Sequence, residues 1–401
     1  MIRRRSLLVL TGDLAPTDDN RRLVSLLDEL GRAGAIDPAR IRVLAGGGGP
    51  LANEIAAAAD LSAVRVVEHD EGVAARAAGW VHPSLRATGS LVDDLWGLAR
   101  PGRRDAGRPD LVWIHGADAA RLASTLPRAA RRTPTAVCLP EGPVGLRRCR
   151  SIPDLRRVLA RATVVVTTTD EQGDHLVDSL GVDRGRIVVS GEWRARPAAS
   201  PDPRRSRRPD DVPDDALLVG GAGPIGWRAG TDLFLDLARR LPREIDGRPV
   251  HLLWLGTADR PGDDLRAHAD VALRGQRGRV HLLDGGDSRD ALANGVDLMV
   301  VTGREPPFPA AAIHAAGQGR AVIGLAGSGV EAVVPHTDVT AAVVDPFDGL
   351  ALSERVEVAL RDPRARQLLG GSLRDHVRRH LRAEERIGAL WADVARHLAR
   401  A

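Results

Sequence analysis

Short apolar runs alternate with amphipathic stretches along the whole chain. Residues 6–10, 41–45, 64–68, 111–115, 135–139, 163–167 and 187–190 are compact, mostly apolar runs. That is the length and pattern of strands buried on both faces of a parallel sheet. Between them, residues 21–33 carry Leu23, Leu26, Leu27 and Leu30 on one helical stripe. Residues 52–59, 119–130, 152–160 and 172–180 are helical in composition as well. Strand and helix periods that alternate in this way predict a doubly wound α/β domain.

The pattern stops at residues 194–215, RARPAASPDPRRSRRPDDVPDD, which have no apolar period and are rich in Pro, Arg and Asp. This composition predicts a linker or exposed loop. Opposite charges follow its basic run at once, which favours a solvated segment over an anion-binding one. A second series then begins, with predicted strands at 216–220, 250–256, 279–283, 296–301, 321–325 and 341–344. Predicted helices lie at 231–240, 263–270, 288–293, 310–316, 350–361 and 365–381, with another starting at Val330. A final helix, 383–401, places Ile387, Leu390, Trp391, Val394 and Leu398 on one face. The chain therefore divides into an N-terminal domain (1–193), a linker (194–215), a C-terminal domain (216–380) and a last helix (381–401). In the second series the stretch 295–334 reads strand, loop, helix, strand, loop, helix. Its loops fall at the carboxyl ends of parallel strands, where open α/β sheets bind ligands.

Composition narrows the chemistry. The chain has 401 residues, and its 57 basic residues are all arginine. Without a Lys ammonium, no Schiff base or Lys phosphate clamp is available, so phosphate contacts fall to Arg and backbone N–H groups. The formal charge of +4 is small for this length and gives no case for nucleic acid. Cys138 and Cys149 allow at most one bridge, and neither a disulfide framework nor a metal spacing is present. The apolar run after Arg5 is too short for a signal peptide, and no run spans a bilayer, so a cytoplasmic location is expected. The acidic pairs Asp18–Asp19, Asp93–Asp94 and Asp263–Asp264 read as solvated pairs.

Several segments together carry a family likeness. Residues 226–235, GWRAGTDLFL, resemble the glycine-rich donor loop of family-four retaining glycosyltransferases, which often reads WRKG followed by DLFL. HLLWLG (251–256) and GREPPFP (303–309) follow in that family's order, the latter similar to its SREDPFP variant. Gly327, Ser328 and Gly329, shortly before Glu331, resemble its small-residue loop beside the donor. The resemblance implies the GT-B architecture: two Rossmann-like domains facing a cleft, with the C-terminal helix packing back on the N-terminal domain. It implies a nucleoside-diphosphate sugar as substrate and a glycan or lipid-linked acceptor, with no cofactor and no metal. It also implies retention, by a front-face reaction in which the phosphate assists proton removal. A role in polysaccharide or cell-envelope synthesis at the inner face of the membrane would follow.

The site residues come from the same likeness. Arg228 and Gly226, with the backbone N–H groups of Phe308 and Ala310 at a helix start, would meet the donor phosphates. Pro306, Pro307 and Pro309 supply no N–H there. Where the family has Lys after this Arg, the chain has Ala229, one charge fewer at the leaving group. The family's paired acids fall on Pro306 and His314, with Glu305 one place early. Glu305, His314, Ser328 and Gly329 are thus the candidates for donor sugar and ribose. His314 can hydrogen-bond a ribose hydroxyl but cannot accept two at once as a carboxylate can. On the acceptor side stand Asp13, His115 and Glu141. Gly12 alone answers the paired glycines of the family's first loop, and Glu141 matches the acid of its HxHE segment. No catalytic nucleophile or base is identified. Two alternatives remain: a non-catalytic GT-B relative that binds a nucleotide sugar or a protein partner, and a sugar-nucleotide epimerase, which lacks evident acid–base residues.

Overall fold

A computed structural model of the chain describes residues 5–14, 17–47, 49, 51, 64–66, 109–126, 130–194, 209–258, 260–283, 292, 295–305 and 310–400. The predicted helices at 52–59 and 288–293, the basic run of the linker, Asp93–Asp94, and 306–309 with Phe308 lie outside the described residues or largely so. The chain folds as two compact units, Met1–Gly191 with Ala383–Ala401, and Glu192–Arg382.

The first unit is built on a parallel sheet of seven strands in the order β3-β2-β1-β4-β5-β6-β7. These are β1 (Arg5–Thr11), β2 (Ile36–Ala45), β3 (Val64–Val66), β4 (Leu111–His115), β5 (Thr135–Leu139), β6 (Val164–Thr167) and β7 (Ile187–Val189). The described helices are α1 (Asp18–Arg32), α2 (Ala120–Thr125), α3 (Pro143–Arg147), α4 (Ile152–Arg161) and α5 (Asp170–Leu180). Leu8, Leu10, Val112, Ile114, Val137 and Val165 pack one face of the sheet against Leu155, Val158 and Leu159 of α4. Thr169 and Gln172 close a reciprocal capping box at the start of α5, and Gly181 ends it in the left-handed region. The last helix, α12 (Ala383–Arg400), packs on α1, β6 and β7 of this unit. The predicted helix 119–130 is shorter than expected, a single 3-10 turn running into α2. Arg131 explains part of that stop, donating through Nε to Leu126 O and through Nη2 to Ser124 O just past the helix end.

The second unit repeats the plan. Its sheet runs β11-β10-β8-β12-β13-β14, with β9 (Glu244–Ile245) antiparallel on β10. The strands are β8 (Leu217–Ala222), β10 (Arg248–Leu255), β11 (Val280–Leu283), β12 (Leu298–Val301), β13 (Ala321–Leu325) and β14 (Val343–Val344). The helices are α6 (Thr231–Arg240), α7 (Asp263–Leu273), α8 (Ala310–Gly317), α9 (Val339–Ala342), α10 (Gly349–Arg361) and α11 (Pro363–His380). Every residue of β8 is buried, and Leu217 and Val219 face one apolar cluster while Leu218 faces the other. This is why the strand reads as continuous rather than alternating apolar sequence. Phe234 packs edge-on against Trp254 at 5.1 Å, and the indole N–H of Trp254 donates to Gly223 O. Arg279 is buried where α6 ends. Its guanidinium donates to the carbonyls of Ala238, Leu241, Pro242 and Val250. Burial pulls its pKa down to about 10, which still leaves a cation at a helix C-terminus.

Three details of this unit depart from expectation. Val330 opens only a 3-10 turn, Val330–Ala332, and the strand predicted at 341–344 shrinks to β14 because α9 takes up Ala341 and Ala342. Arg194 and residues 209–215, read from composition as linker, lie within the second unit. Val212 is buried in its core, and the Arg194 N–H donates to Leu381 O.

Candidate functional site

In each sheet the strand order reverses direction once, between β1 and β4 and between β8 and β12. The crevice at such a switch point is where open α/β sheets hold ligands. The predicted donor loops sit on the second of these points. Residues 223–230 follow β8, and residues 302–305 follow β12.

Three sets of bonds lock these loops together. Thr302 Oγ1 donates to the carbonyls of Ala229 and Gly230. The Arg304 N–H donates to Arg228 O. Gly226 N donates to Thr231 Oγ1, which ties the loop to the first residue of α6. Gly230 has φ +71°, and a Cβ there would fall 1.9 Å from Thr302 O. The close approach of the two loops therefore requires glycine at this position.

Arg228 and Glu305 come together at this point. Arg228 Nε lies 3.3 Å from Glu305 Oε1, and both side chains are largely buried. A Cβ built on Gly303 would lie 3.8 Å from Ser328 O and 3.9 Å from the carbonyls of Arg228 and Glu305, so the 327–329 turn joins the same place. Ser328 is buried, and Glu331 steadies the turn by accepting from Gly327 N at 2.7 Å. Gly329 is in the left-handed region at φ +87°. Ala310 begins α8, and His314 lies one turn further on, buried. Phe308 lies outside the described residues.

In the sequence Arg304 reads as one more arginine, with nothing to mark it as a site residue. Its fork grips Asp232 bidentately, Nη1 to Oδ1 and Nη2 to Oδ2 at 2.7 Å each, and Nη1 also donates to Trp227 O. The guanidinium lies 4.9 Å from the Trp227 ring centroid. The available signal was its spacing from Asp232 across two strand-end loops, which only the topology brings within reach.

The predicted acceptor-side residues cluster at the other switch point. Thr11, His115 and Cys138 are register partners across β1, β4 and β5, and Glu141 follows three residues after Cys138. His115 is buried, with Nε2 3.0 Å from Asp19 O. A carbonyl only accepts, so Nε2 carries the proton and Nδ1 is the bare nitrogen. Burial, with help from the Arg22 charge, pulls the imidazole pKa down to about 4 against the Asp19 hydrogen bond. Glu141 accepts from Ala117 N at 2.7 Å through Oε1, while its buried Oε2 has no partner among the described residues. Burial, reinforced by the Asp19 carboxylate, pushes its pKa up to about 7. Asp13 is exposed and accepts from Asn20 Nδ2 at 2.9 Å. Cys138 and Cys149 are free thiols, so the bridge that the sequence allows does not form. Burial pushes their pKa values up to about 12 and about 11.

Among the described residues no group of three His, Cys, Asp or Glu could hold a metal, and no helix is long and apolar enough to cross a membrane.

Comparison with known proteins bears on both halves. The family model of a glycosyl transferase 4-like domain matches residues 20–193, and that of glycosyl transferases group 1 matches residues 214–362. No curated protein sequence matches the chain. Among solved structures, HepE of Anabaena in complex with UDP and glucose superposes with a TM-score of 0.74 at 15% identity, covering 99% of this chain and 100% of its own. Sucrose-phosphate synthase of Thermosynechococcus elongatus gives 0.68 at 16%, covering 100% of both chains. WaaG, a glycosyltransferase involved in lipopolysaccharide biosynthesis, gives 0.59 at 16%, covering 96% of this chain and 98% of its own. At such identities these structures speak for the fold, and the two family models speak for the lineage. With both halves matched in order on this fold, the chain belongs to the GT-B glycosyltransferases of the family-four type.

Proposed function

We propose that the protein transfers a sugar, a hexosyl group, from a nucleoside diphosphate sugar to a glycan or glycolipid acceptor, with retention of configuration. The observation that carries this reading is the meeting of Arg228, Glu305 and the Ser328 turn at the β8/β12 switch point. A departing diphosphate gains negative charge, and a preorganised cation beside it lowers the barrier. Arg228 offers that cation. Its Nε faces Glu305, and the rest of its fork has no other partner among the described residues. Glu305 holds the guanidinium in place and can accept from a sugar hydroxyl. With Arg and backbone N–H groups meeting the phosphate charge, the transfer is proposed to need no metal.

At the β1/β4 end, Glu141 titrates near neutrality. A carboxyl of that kind can donate to an acceptor hydroxyl when protonated and accept from one when ionised. A setting in cell-envelope polysaccharide synthesis, cytoplasmic and in peripheral contact with the inner membrane face, fits the acceptor class.

A second reading has its own support. The positions of the family's paired acids are Pro306 and His314, and Ala229 replaces its Lys. These changes suit a relative that binds a nucleotide sugar without turning it over. Titration with UDP-, GDP- and ADP-sugars, followed by donor hydrolysis in EDTA, separates the two. Binding with turnover, reduced about a hundredfold by Arg228→Ala, is expected. An α-linked product from an α-linked donor, seen by NMR, would establish retention. Absence of binding to all three donors would sink the transferase reading, and binding without turnover would favour the second.

A further inference from the structure

Trp227, Arg304 and Phe347 form a group that the phosphate and sugar contacts leave unused. Trp227 is 53% exposed and Phe347 67% exposed, unusual for large aromatics in a chain with only three Phe and no Tyr. Between them lies the Arg304 guanidinium, 4.9 Å from one ring centroid and 5.9 Å from the other. Its side chain is only 9% exposed, and Asp232 and Trp227 O hold it fast. Two open rings thus rest against one immobile cation. Phe347 is also held at φ +63°, a region that bulky residues rarely adopt. Strain kept at an exposed ring, where glycine would relieve the backbone, points to use of the ring.

Charge selects the ligand. Asp232 takes both terminal nitrogens of Arg304, which Glu305 does not do to Arg228, and the exposed Asp345 and Asp348 flank Phe347. The surface is neutral to acidic, which disfavours anionic lipid and diphosphate alike. A pyranose suits it: its C–H face is apolar and flat, and its hydroxyls can donate to carboxylates. Trp227 belongs to the same loop as Arg228, immediately before it. We propose that Trp227 and Phe347 form a two-ring platform for a neutral saccharide. Its use in sugar transfer rests on the transferase reading.

The test uses the intact protein and three titrations: a panel of neutral hexasaccharides (α-glucan, β-glucan and mannan), UDP-glucose with its GDP and ADP counterparts, and vesicles of phosphatidylcholine and phosphatidylglycerol. Trp227→Ala and Phe347→Gly should each weaken saccharide binding about tenfold, with nucleotide-sugar affinity changed by less than about twofold. Phe347→Gly guards against misfolding, because glycine accepts the left-handed backbone. Unchanged saccharide affinity in both variants would overturn the platform. So would failure of the whole panel to bind the wild type, or an equal loss of nucleotide-sugar affinity, or a loss of vesicle binding alone. Nucleotide-sugar binding without saccharide binding would sink the platform and leave the transferase reading standing. Variant-sensitive saccharide binding without any nucleotide-sugar binding would do the reverse, leaving a carbohydrate platform that serves another role.

Discussion

At the β1/β4 switch point the strand ends carry the buried His115 and the half-buried Glu141, both driven by desolvation toward their neutral forms. At the β8/β12 switch point the corresponding loops carry Arg228 against Glu305 and Arg304 against Asp232, two ion pairs. With the short antiparallel β9 set aside, both sheets run 3-2-1-4-5-6 from their own first strand, and the first sheet adds a seventh strand at its far edge. Topology therefore sets where a crevice forms, while a few loop residues set its charge. A neutral, hydrogen-bonding end suits hydroxyls, and an end with a fixed cation suits a departing phosphate.

The sharpest way to break this contrast is at the glycines that follow the first strand of each sheet. Gly230→Ala would force a Cβ to within 1.9 Å of Thr302 O, whereas Gly12→Ala would bring one to 3.3 Å from Asp118 Cβ. Gly230→Ala should destabilise the second unit by more than about 4 kcal/mol, the range reserved for backbone conflicts. Gly12→Ala should cost the first unit about 1 kcal/mol or less. Urea unfolding followed by hydrogen exchange in each unit measures both, and equal costs would show that the two loops are not differently constrained.

The titrations of the first unit sharpen the comparison. His115 has its folded pKa lowered from 6.5 to about 4, so its contribution to stability is present above 6.5 and lost as pH falls toward 4. Glu141 has its pKa raised from 4.5 to about 7, so its contribution is full below 4.5 and lost as pH rises toward 7. Between pH 4.5 and 6.5 the two slopes oppose each other, and the wild type should be nearly flat there. Glu141→Gln should expose a rise of about 1.4 kcal/mol per pH unit, and His115→Gln a fall of the same size. Denaturant midpoints across pH 4–8 read this directly, and parallel profiles for the two variants would refute it.

A small effect of the opposite sign concerns Phe347. Relief of its left-handed backbone in Phe347→Gly should raise the stability of the second unit by about 1 kcal/mol, partly offset by glycine's greater unfolded-state freedom. A thermal scan showing a loss of several degrees would mean that the ring packs rather than projects.

Much of this fold was legible because a strand buried on both faces must be continuously apolar. The runs at 111–115, 135–139 and 321–325 coincide with β4, β5 and β13 to the residue, and 231–240 with α6. Short elements escaped. The strand β9, the helix α3 and the α9 turn are too brief for periodicity to register, and the 3-10 turn after Gly329 carries a helix-like start without the length to continue. The candidate site was legible as motifs and not as contacts. The motifs single out Arg228 and Glu305, but nothing in GWRAG or GREPPFP shows that they pair. Arg304 carries more of the local geometry than either, reaching Asp232 and Trp227 over sequence separations of 72 and 77.

The sequence alone determined the alternation of buried strands and amphipathic helices, the absence of Lys chemistry, and the order of the donor-loop motifs. Periodicity and composition are local properties, and a linear chain displays them. Tertiary structure alone decided which charges meet, which are neutralised and which aromatics remain exposed. Those depend on distances between strand ends remote in sequence and on burial, which shifts Glu141 up and His115 down. Neither quantity exists until the sheets have formed.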